Sequence, residues 1–209
     1  FNRPQFSIVD HYTYVFVGDG CLMEGISHEV CSLAGTLGLG KLIVLYDDNG
    51  ISIDGKVDAW FDEKVAQRFD AYGWQVLDHV DGHCMEAVDQ ALKTARENTS
   101  QPTLVCCQTQ IGWGSPNKVG TAGVHGSPLG EEEAQAVRKA LSWDHPPFHI
   151  PDDIYDAWNH QAIGQEQELI WNQRFAAYEQ QYPELAAEFL RRQYGALPES
   201  WQQDVQTWL

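Results

Sequence analysis

Short apolar runs alternate with helical patterns along the first half of the chain. The runs are rich in β-branched and aromatic residues, and we predict buried strands at residues 12–17, 41–46, 74–80 and 103–107. Apolar positions at helical spacing predict helices between them, at residues 26–37, 63–72 and 85–97. Strands that alternate with helices favour a parallel sheet covered by helices on both faces. We therefore predict an α/β fold.

The pattern changes twice in the second half. Residues 112–130 are too long and too Gly-rich for a simple connector, and we predict a functional loop there. From residue 151 onward the chain is rich in Gln, Glu and Ala, which predicts a C-terminal helical arm broken near Gly164, Pro183 and Gly195. We expect the Trp and Tyr residues of this arm to be packing anchors.

Composition narrows the classes of partner. With 30 acidic and 13 basic residues the net charge is −17, which disfavours nucleic acid as a partner. No apolar run approaches the ~20 residues that span a bilayer, so we expect no membrane segment. The five cysteines form no C-x-x-C pair and fit a reducing cytoplasm, where thiols pack as small apolar groups. The chain begins with Phe1, and we expect it to be a piece of a longer protein.

Three motif-like stretches fail in their details. Residues 35–41 (GTLGLGK) resemble a phosphate-binding loop, but a helix pattern precedes them and a strand pattern follows, the reverse of the required order. Residues 18–20 begin like a dinucleotide fingerprint, yet its third glycine is Met23. Residues 47–50 resemble the start of a calcium loop, but Ser52 stands where that loop requires glycine.

Two polar turns follow neighbouring predicted strands. Asp19 and Gly20 come directly after the first strand, and Asn49 comes just after the second, with 28 residues between Gly20 and Asn49. In a parallel sheet both turns emerge at the carboxyl edge, where open α/β sheets bind ligands. A carboxylate, an amide oxygen and nearby backbone carbonyls suit Mg²⁺, which shares its coordination shell with phosphate oxygens. Gly20 leaves room for a diphosphate to approach the backbone.

These turns carry a family resemblance. The Gly-Asp-Gly segment followed at this distance by an asparagine is similar to the signature of thiamine-diphosphate enzymes, with Asp48 in place of the usual first asparagine. Residues 18–55, 111–121 (IGWGSPNKVGT) and 125–130 (HGSPLG) resemble transketolases, and the similarity extends over essentially the whole chain. Two positions depart from the family pattern: Ala122 replaces a frequent histidine, and Gln108 replaces a common lysine.

The resemblance implies a set of site residues. Mg²⁺, or Ca²⁺ as a substitute, would be held by Asp19, Asn49 and the backbone carbonyl of Ile51. Gly20, Asn49 and His125 would contact thiamine diphosphate, and His125 would also be catalytic. Glu24 and Glu29 would be interface acids of a homodimer formed through the cofactor domain. We expect four other histidines to be structural or exposed: His11, His28, His79 and His83.

The resemblance also implies an activity and a domain plan. A transketolase transfers a two-carbon ketol unit from a ketose phosphate to an aldose phosphate, in the cytoplasm. Residues 1–150 would be part of the diphosphate-binding domain, and residues 151–209 a helical arm leading toward a pyrimidine-binding domain. We expect this chain to be inactive by itself. Open alternatives are dihydroxyacetone synthase, deoxyxylulose-phosphate synthase, a 2-oxo acid decarboxylating subunit, or a non-catalytic module with the cofactor fold.

Overall fold

The structure, a computed structural model, describes residues 1–58 and 60–209. The chain divides into two compact units, His11–Asp144, and Phe1–Asp10 together with His145–Leu209. The strands of the larger unit are β1 (Thr13–Gly18), β2 (Leu42–Asp48), β3 (Ile51–Ser52), β4 (Gly55–Lys56), β5 (Gln75–Asp81) and β6 (Thr103–Gln108). Its α-helices are α1 (Asp19–Met23), α2 (Gly25–Thr36), α3 (Val65–Ala71), α4 (Met85–Glu97) and α5 (Glu131–Ala140).

The larger unit is built on a four-stranded parallel sheet with the order β1-β2-β6-β5. All four of its strands were predicted from the apolar runs, and the α/β class is confirmed. β3 and β4 form a small antiparallel hairpin directly after β2. Because β1 and β2 run parallel with Gly18 opposite Asp47, the turns that follow both strands leave the sheet at the same edge.

Helices cover both faces of this sheet, because the strands place apolar side chains on both faces. Successive side chains of a strand point to opposite faces, so β2 contributes to two core clusters. One cluster contains Leu22, Ala34, Val44, Tyr46, Val65, Phe69, Trp74, Leu104 and Cys106. The other contains Ile43, Leu45, Ala91, Ala95, Val105 and Cys107. The first cluster joins the sheet to α1, α2 and α3, and the second joins it to α4.

The helix predicted at residues 26–37 corresponds to α2. The structure adds the short helix α1 before it, and the two are separated by Glu24 in an extended conformation with φ −63° and ψ 134°. The sequence pattern does not reveal α1, because only one of its residues besides Asp19 is buried, namely Leu22. Asp19 therefore begins a helix rather than lying in an open turn.

The smaller unit is helical. Its helices are α6 (Asp152–Trp158), α7 (Gln161–Gln181), α8 (Pro183–Gln193) and α9 (Trp201–Trp208). The predicted breaks at Pro183 and Gly195 are confirmed, since Pro183 begins α8 and Gly195 follows its end with φ +67°. The break predicted near Gly164 lies at Asn159 and His160, between α6 and α7, and α7 runs through Gly164 itself. A single glycine costs a helix only about 1 kcal/mol, and α7 is 21 residues long.

Aromatic side chains form the core of the smaller unit. Trp171, Phe175 and Tyr178 of α7 pack with Phe189 of α8. The N-terminal residues complete this core, since the Tyr178 hydroxyl donates to the Phe1 carbonyl at 2.8 Å. The predicted role of packing anchor is confirmed for Trp171 and Tyr178, whereas Trp158 and Trp208 are exposed. The predicted domain division at residue 150 stays a prediction.

Two adjacent thiols lie in the sheet. Cys106 and Cys107 are buried and free, which confirms that they pack as apolar groups. Burial raises the pKa of Cys106 to about 12, assisted by the charges of Asp78 and Asp48. Burial also raises the pKa of Cys107. Over residues 1–58 and 60–209, no helix has the length and apolar character needed to cross a membrane.

Candidate metal and cofactor site

The carboxyl edge of the sheet brings the two predicted turns together. Asp19 is the first residue after β1, and Asn49 is the first residue after β2. In the parallel register Gly18 pairs with Asp47. Asp19 lies one position beyond Gly18 of this pair, and Asn49 lies two positions beyond Asp47. This edge is where ligands bind in open α/β folds.

Asp19 has one satisfied and one unsatisfied oxygen. The side chain is buried, with only 4% of its surface exposed. Its Oδ1 accepts a hydrogen bond of 2.6 Å from the Tyr46 hydroxyl. Its Oδ2 is buried and has no hydrogen-bond partner among the described residues. A buried carboxylate oxygen without a partner is costly, and a bound cation would remove that cost, so Asp19 fits the predicted role of metal ligand.

A second carboxylate lies near Asp19. Burial raises the pKa of Asp48, and the charge of Asp19 raises it further. Burial, the hydrogen bond to Asp19 and the charges of Asp19 and Asp48 raise the pKa of Tyr46 far above its usual range. The Tyr46 hydroxyl therefore stays protonated and donates its single proton to Asp19. Negative charge concentrated in this way favours a divalent cation.

The Asn49 amide is held by local hydrogen bonds. Its Nδ2 donates to Asp47 Oδ2 at 3.2 Å, and its Oδ1 accepts from the Ile51 backbone N–H at 3.0 Å. Both bonds require the same orientation of the amide group, and they leave one lone pair of Oδ1 free. The Thr109 hydroxyl donates a hydrogen bond to Asp47 Oδ1, which helps to hold the Asp47 side chain in place. Because the contacts of Asn49 within the described chain are local, only a shared ligand would join it to Asp19.

The backbone after Asn49 is held by hydrogen bonds, whereas the backbone at Gly20 is open to solvent. Ile51 begins the β3–β4 hairpin, and the Gly50 carbonyl accepts from the Val57 N–H at 3.1 Å, which secures the turn after Asn49. At Gly20, an added Cβ would meet nothing within 4 Å. Packing within the chain therefore gives no reason for a glycine there, and the backbone of Gly20 is accessible to a ligand.

Two clefts open along this edge. The smaller, of about 280 Å³, is lined by residues that include Asp19, Tyr46, Asp48 and Gly50. The larger, of about 660 Å³, is lined by residues that include Gly18, Asp47, His83, Thr109 and Ile111. The larger volume lies within the range of small-molecule sites. Across residues 1–58 and 60–209, no group of three or more His, Cys, Asp or Glu side chains is arranged to hold a metal. The predicted ligand set differs from such a group, because it contains only one of these side chains, Asp19, together with an amide oxygen and a backbone carbonyl.

Comparisons with known proteins identify the family of this chain. A family model described as the thiamine diphosphate binding domain of transketolase matches residues 1–198. This chain belongs to the transketolase family.

Relatives and solved structures extend the match. Transketolase 1 of Vibrio cholerae is 57% identical over 202 residues, which cover 97% of this chain and 30% of that protein. Transketolase 2 of Escherichia coli K12 is 54% identical over 209 residues, 100% of this chain and 31% of that protein. A Pichia stipitis transketolase in complex with sedoheptulose 7-phosphate superposes with a TM-score of 0.88 at 45% identity, covering 97% of this chain and 30% of that one. The chain thus spans about 30% of the length of these relatives.

The other predicted site residues of this transketolase-family chain lie at its surface. His125 is exposed and follows a short 3₁₀ turn (Ala122–Val124), where its N–H donates to the Ala122 carbonyl at 3.0 Å. Glu24 and Glu29 are exposed, Glu24 just before α2 and Glu29 within it. No described contact joins these three side chains to the strand ends. Their predicted roles depend on groups outside the described chain.

One acidic residue anchors the Gly-rich loop that carries His125. Glu133 of α5 is only 8% exposed and accepts hydrogen bonds from the Ser115 hydroxyl, the Asn117 N–H at 2.9 Å and the Asn117 side-chain amide at 2.8 Å. These bonds lower the pKa of Glu133 from 4.5 to about 2. The sequence does not identify this anchor, because Glu131, Glu132 and Glu133 occupy the first turn of α5 together.

A histidine fixes the base of the same loop. His83 Nε2 accepts from the Gln110 N–H at 2.9 Å, and its ring stacks on Trp113 with centroids 4.0 Å apart. His83 is predicted to be structural or exposed, and in the structure it has both a backbone hydrogen-bond partner and a stacking partner. Gln108, one of the departures from the family pattern, bonds to His79 at 3.0 Å. This contact ties the end of β6 to β5.

Replacing Glu133 by Gln is predicted to loosen residues 115–130. Gln keeps one acceptor oxygen but presents an amide N–H toward Asn117, so a partly buried donor of Asn117 loses its partner. We expect amide hydrogen exchange of this segment at pH 7 to become several-fold faster. Glu131→Gln changes an exposed neighbour on the same helix turn and is the control, with no change expected.

The same anchor has a defined pH dependence. The folded pKa of Glu133 lies below the unfolded one, so its contribution to stability is present above about pH 4.5 and is lost as the pH falls toward 2. The difference in amide hydrogen-exchange protection of residues 115–130 between the original chain and Glu133→Gln should therefore become smaller as the pH falls below 4.5. A difference that persists unchanged at pH 3 would contradict the assigned role.

Proposed function

We propose that this chain forms the diphosphate-binding and metal-binding part of a transketolase. Such an enzyme transfers a two-carbon ketol unit from a ketose phosphate, such as xylulose 5-phosphate, to an aldose phosphate. The observation that supports this proposal most strongly is the buried Asp19 carboxylate, which has one oxygen bonded to Tyr46 and the other without a partner. It lies at the carboxyl edge of a parallel sheet, in a chain of the transketolase family.

The proposed metal is Mg²⁺, for which Ca²⁺ would substitute. Asp19, the Asn49 side-chain oxygen and the Ile51 carbonyl would hold it. These are hard oxygen ligands, which Mg²⁺ prefers, and the ion would complete its shell with diphosphate oxygens. When bound, thiamine diphosphate supplies the electron sink that ketol transfer requires.

The remaining roles belong to residues that border the proposed cofactor. Gly20 would let the diphosphate approach the backbone, since no protein atom occupies the space that a side chain would fill. Asn49 and His125 would contact the same cofactor. His125 would also be catalytic, placed by the loop anchored through Glu133 and His83. These anchors would limit the positions that His125 can adopt.

The proposed substrates are sugar phosphates. The Pichia stipitis transketolases with solved structures include complexes with sedoheptulose 7-phosphate and with fructose 6-phosphate. Their similarity to this chain supports the same substrate class here, and with it a role in the pentose phosphate pathway of the cytoplasm. Residues 1–150 would belong to the diphosphate-binding domain, and residues 151–209 would lead toward a pyrimidine-binding domain.

A homodimer is part of the proposal. One side of α2 carries the α2 apolar stripe, which we define as Ile26, Val30, Leu33 and Leu37, each between 51% and 66% exposed. An exposed apolar stripe of this length is typical of an interaction surface. Glu29 lies on the same helix and Glu24 just before it, and they would act as interface acids.

Asp19→Asn is predicted to weaken metal-dependent cofactor binding. The substitution keeps the shape of the side chain but removes its charge. We expect the affinity for Mg²⁺ in the presence of thiamine diphosphate, measured by calorimetry, to fall by at least the ~10–100-fold that loss of an outer-shell partner costs. Asp54→Asn, in the exposed turn between β3 and β4, is the control. If the unaltered chain shows no metal-linked binding, a non-catalytic module is the better description.

The activity is predicted to require the full-length protein. With a ketose phosphate donor and aldose phosphate acceptors, the full-length protein should turn over, whereas the 209-residue chain alone should not. The reason is that the relatives are about three times as long and this chain would supply only part of each site. Turnover with a 2-oxo acid donor instead would indicate another thiamine-diphosphate enzyme.

A further inference from the structure

We propose that Tyr46 is a positioning residue for the metal, because its hydroxyl holds one oxygen of Asp19 and thereby aims the other at the cation. The inference rests on the proposed function, since it deepens the role given there to Asp19. It assigns a task to a side chain that the sequence pattern identifies only as an apolar strand residue.

The position of Tyr46 follows from the sheet. Val44 and Tyr46 belong to the same core cluster, and the parallel register pairs Tyr46 with Val17, two residues before Asp19. Tyr46 and Asp19 are each only 4% exposed, so their hydrogen bond of 2.6 Å is shielded from water. A hydrogen bond in such surroundings is stronger than in solvent. The carboxylate is therefore held in one orientation before any ligand arrives.

A neutral donor suits this task. The hydroxyl occupies one oxygen of Asp19 without cancelling the negative charge, which stays available at Oδ2. A lysine or arginine at the same place would also donate, but its charge would repel a divalent cation. Asp48 lines the same cleft as Asp19 and Tyr46. Outer partners of this kind orient ligands and tune metal affinity.

Tyr46→Phe separates this role from packing, because the ring stays in the core and only the oxygen is removed. We expect the affinity for Mg²⁺, titrated by calorimetry in the presence of thiamine diphosphate, to fall about 10–100-fold. The affinity for thiamine diphosphate measured in EDTA should not change. Tyr72→Phe is the matched control, since it removes a hydroxyl bonded to His28 at 3.2 Å beside the same core cluster. It should leave Mg²⁺ affinity as it was.

A double-variant cycle tests whether the effect passes through Asp19. In an Asp19→Asn background, Tyr46→Phe should cause no further loss of Mg²⁺ affinity. A full additional loss there, or unchanged Mg²⁺ affinity in Tyr46→Phe alone, would overturn the proposal while leaving the proposed function intact. Absence of metal-linked binding in the unaltered chain would instead overturn both.

A measurement on the unaltered chain covers the case in which Tyr46→Phe does not fold. By nuclear magnetic resonance, the Tyr46 hydroxyl proton should appear as a slowly exchanging signal, because its bond to Asp19 is buried. The signal should persist after Mg²⁺ and thiamine diphosphate are added. Its disappearance on metal binding would mean that the hydroxyl leaves Asp19, which would overturn the proposal.

Discussion

The parallel pairing of β1 with β2 is the constraint on which the candidate site depends. The register that sets Gly18 beside Asp47 determines which residues follow the two strands at one edge. It also places Tyr46 next to the end of β1, where its hydroxyl meets Asp19. A shift of this register by one residue would turn Tyr46 to the opposite face of the sheet and remove that bond.

The electrostatics of the edge follow from the same geometry. Asp19 and Asp48 are brought close in a partly dehydrated setting, in a chain that already carries a net charge of −17. Such an arrangement is unfavourable unless positive charge is added. Tyr46 supplies a proton donor but no positive charge. In the proposed function, a bound cation supplies that charge.

Sequence patterns predict the part of this molecule that depends on local periodicity. The apolar runs locate the four parallel strands, and the two polar turns locate Asp19 and Asn49 because strand ends in a parallel sheet share an edge. The pattern misplaces the break that it predicts near Gly164, because the helices separate at Asn159 and His160 and α7 continues through the glycine. Such an outcome is expected when a cooperative element overrides one residue.

Long-range partners are what the patterns miss. Tyr46 and Asp19 are 27 positions apart, and nothing in an apolar run tells which tyrosine will have a carboxylate beside its hydroxyl. Glu133 is equivalent in sequence to its two neighbours until the fold buries it against Ser115 and Asn117. The proposed roles of His125, Glu24 and Glu29 stay predictions, since no contact among the described residues joins them to the strand ends.

The central claim is that the ends of β1 and β2 share one divalent cation. The most direct measurement is a crystal of the chain with thiamine diphosphate and Mn²⁺, a substitute for Mg²⁺, with the ion located by its anomalous scattering. The account predicts one peak within about 2–2.3 Å of Asp19 Oδ2 and of the Asn49 side-chain oxygen. A peak elsewhere, with Asp19 Oδ2 still unpartnered, would contradict it.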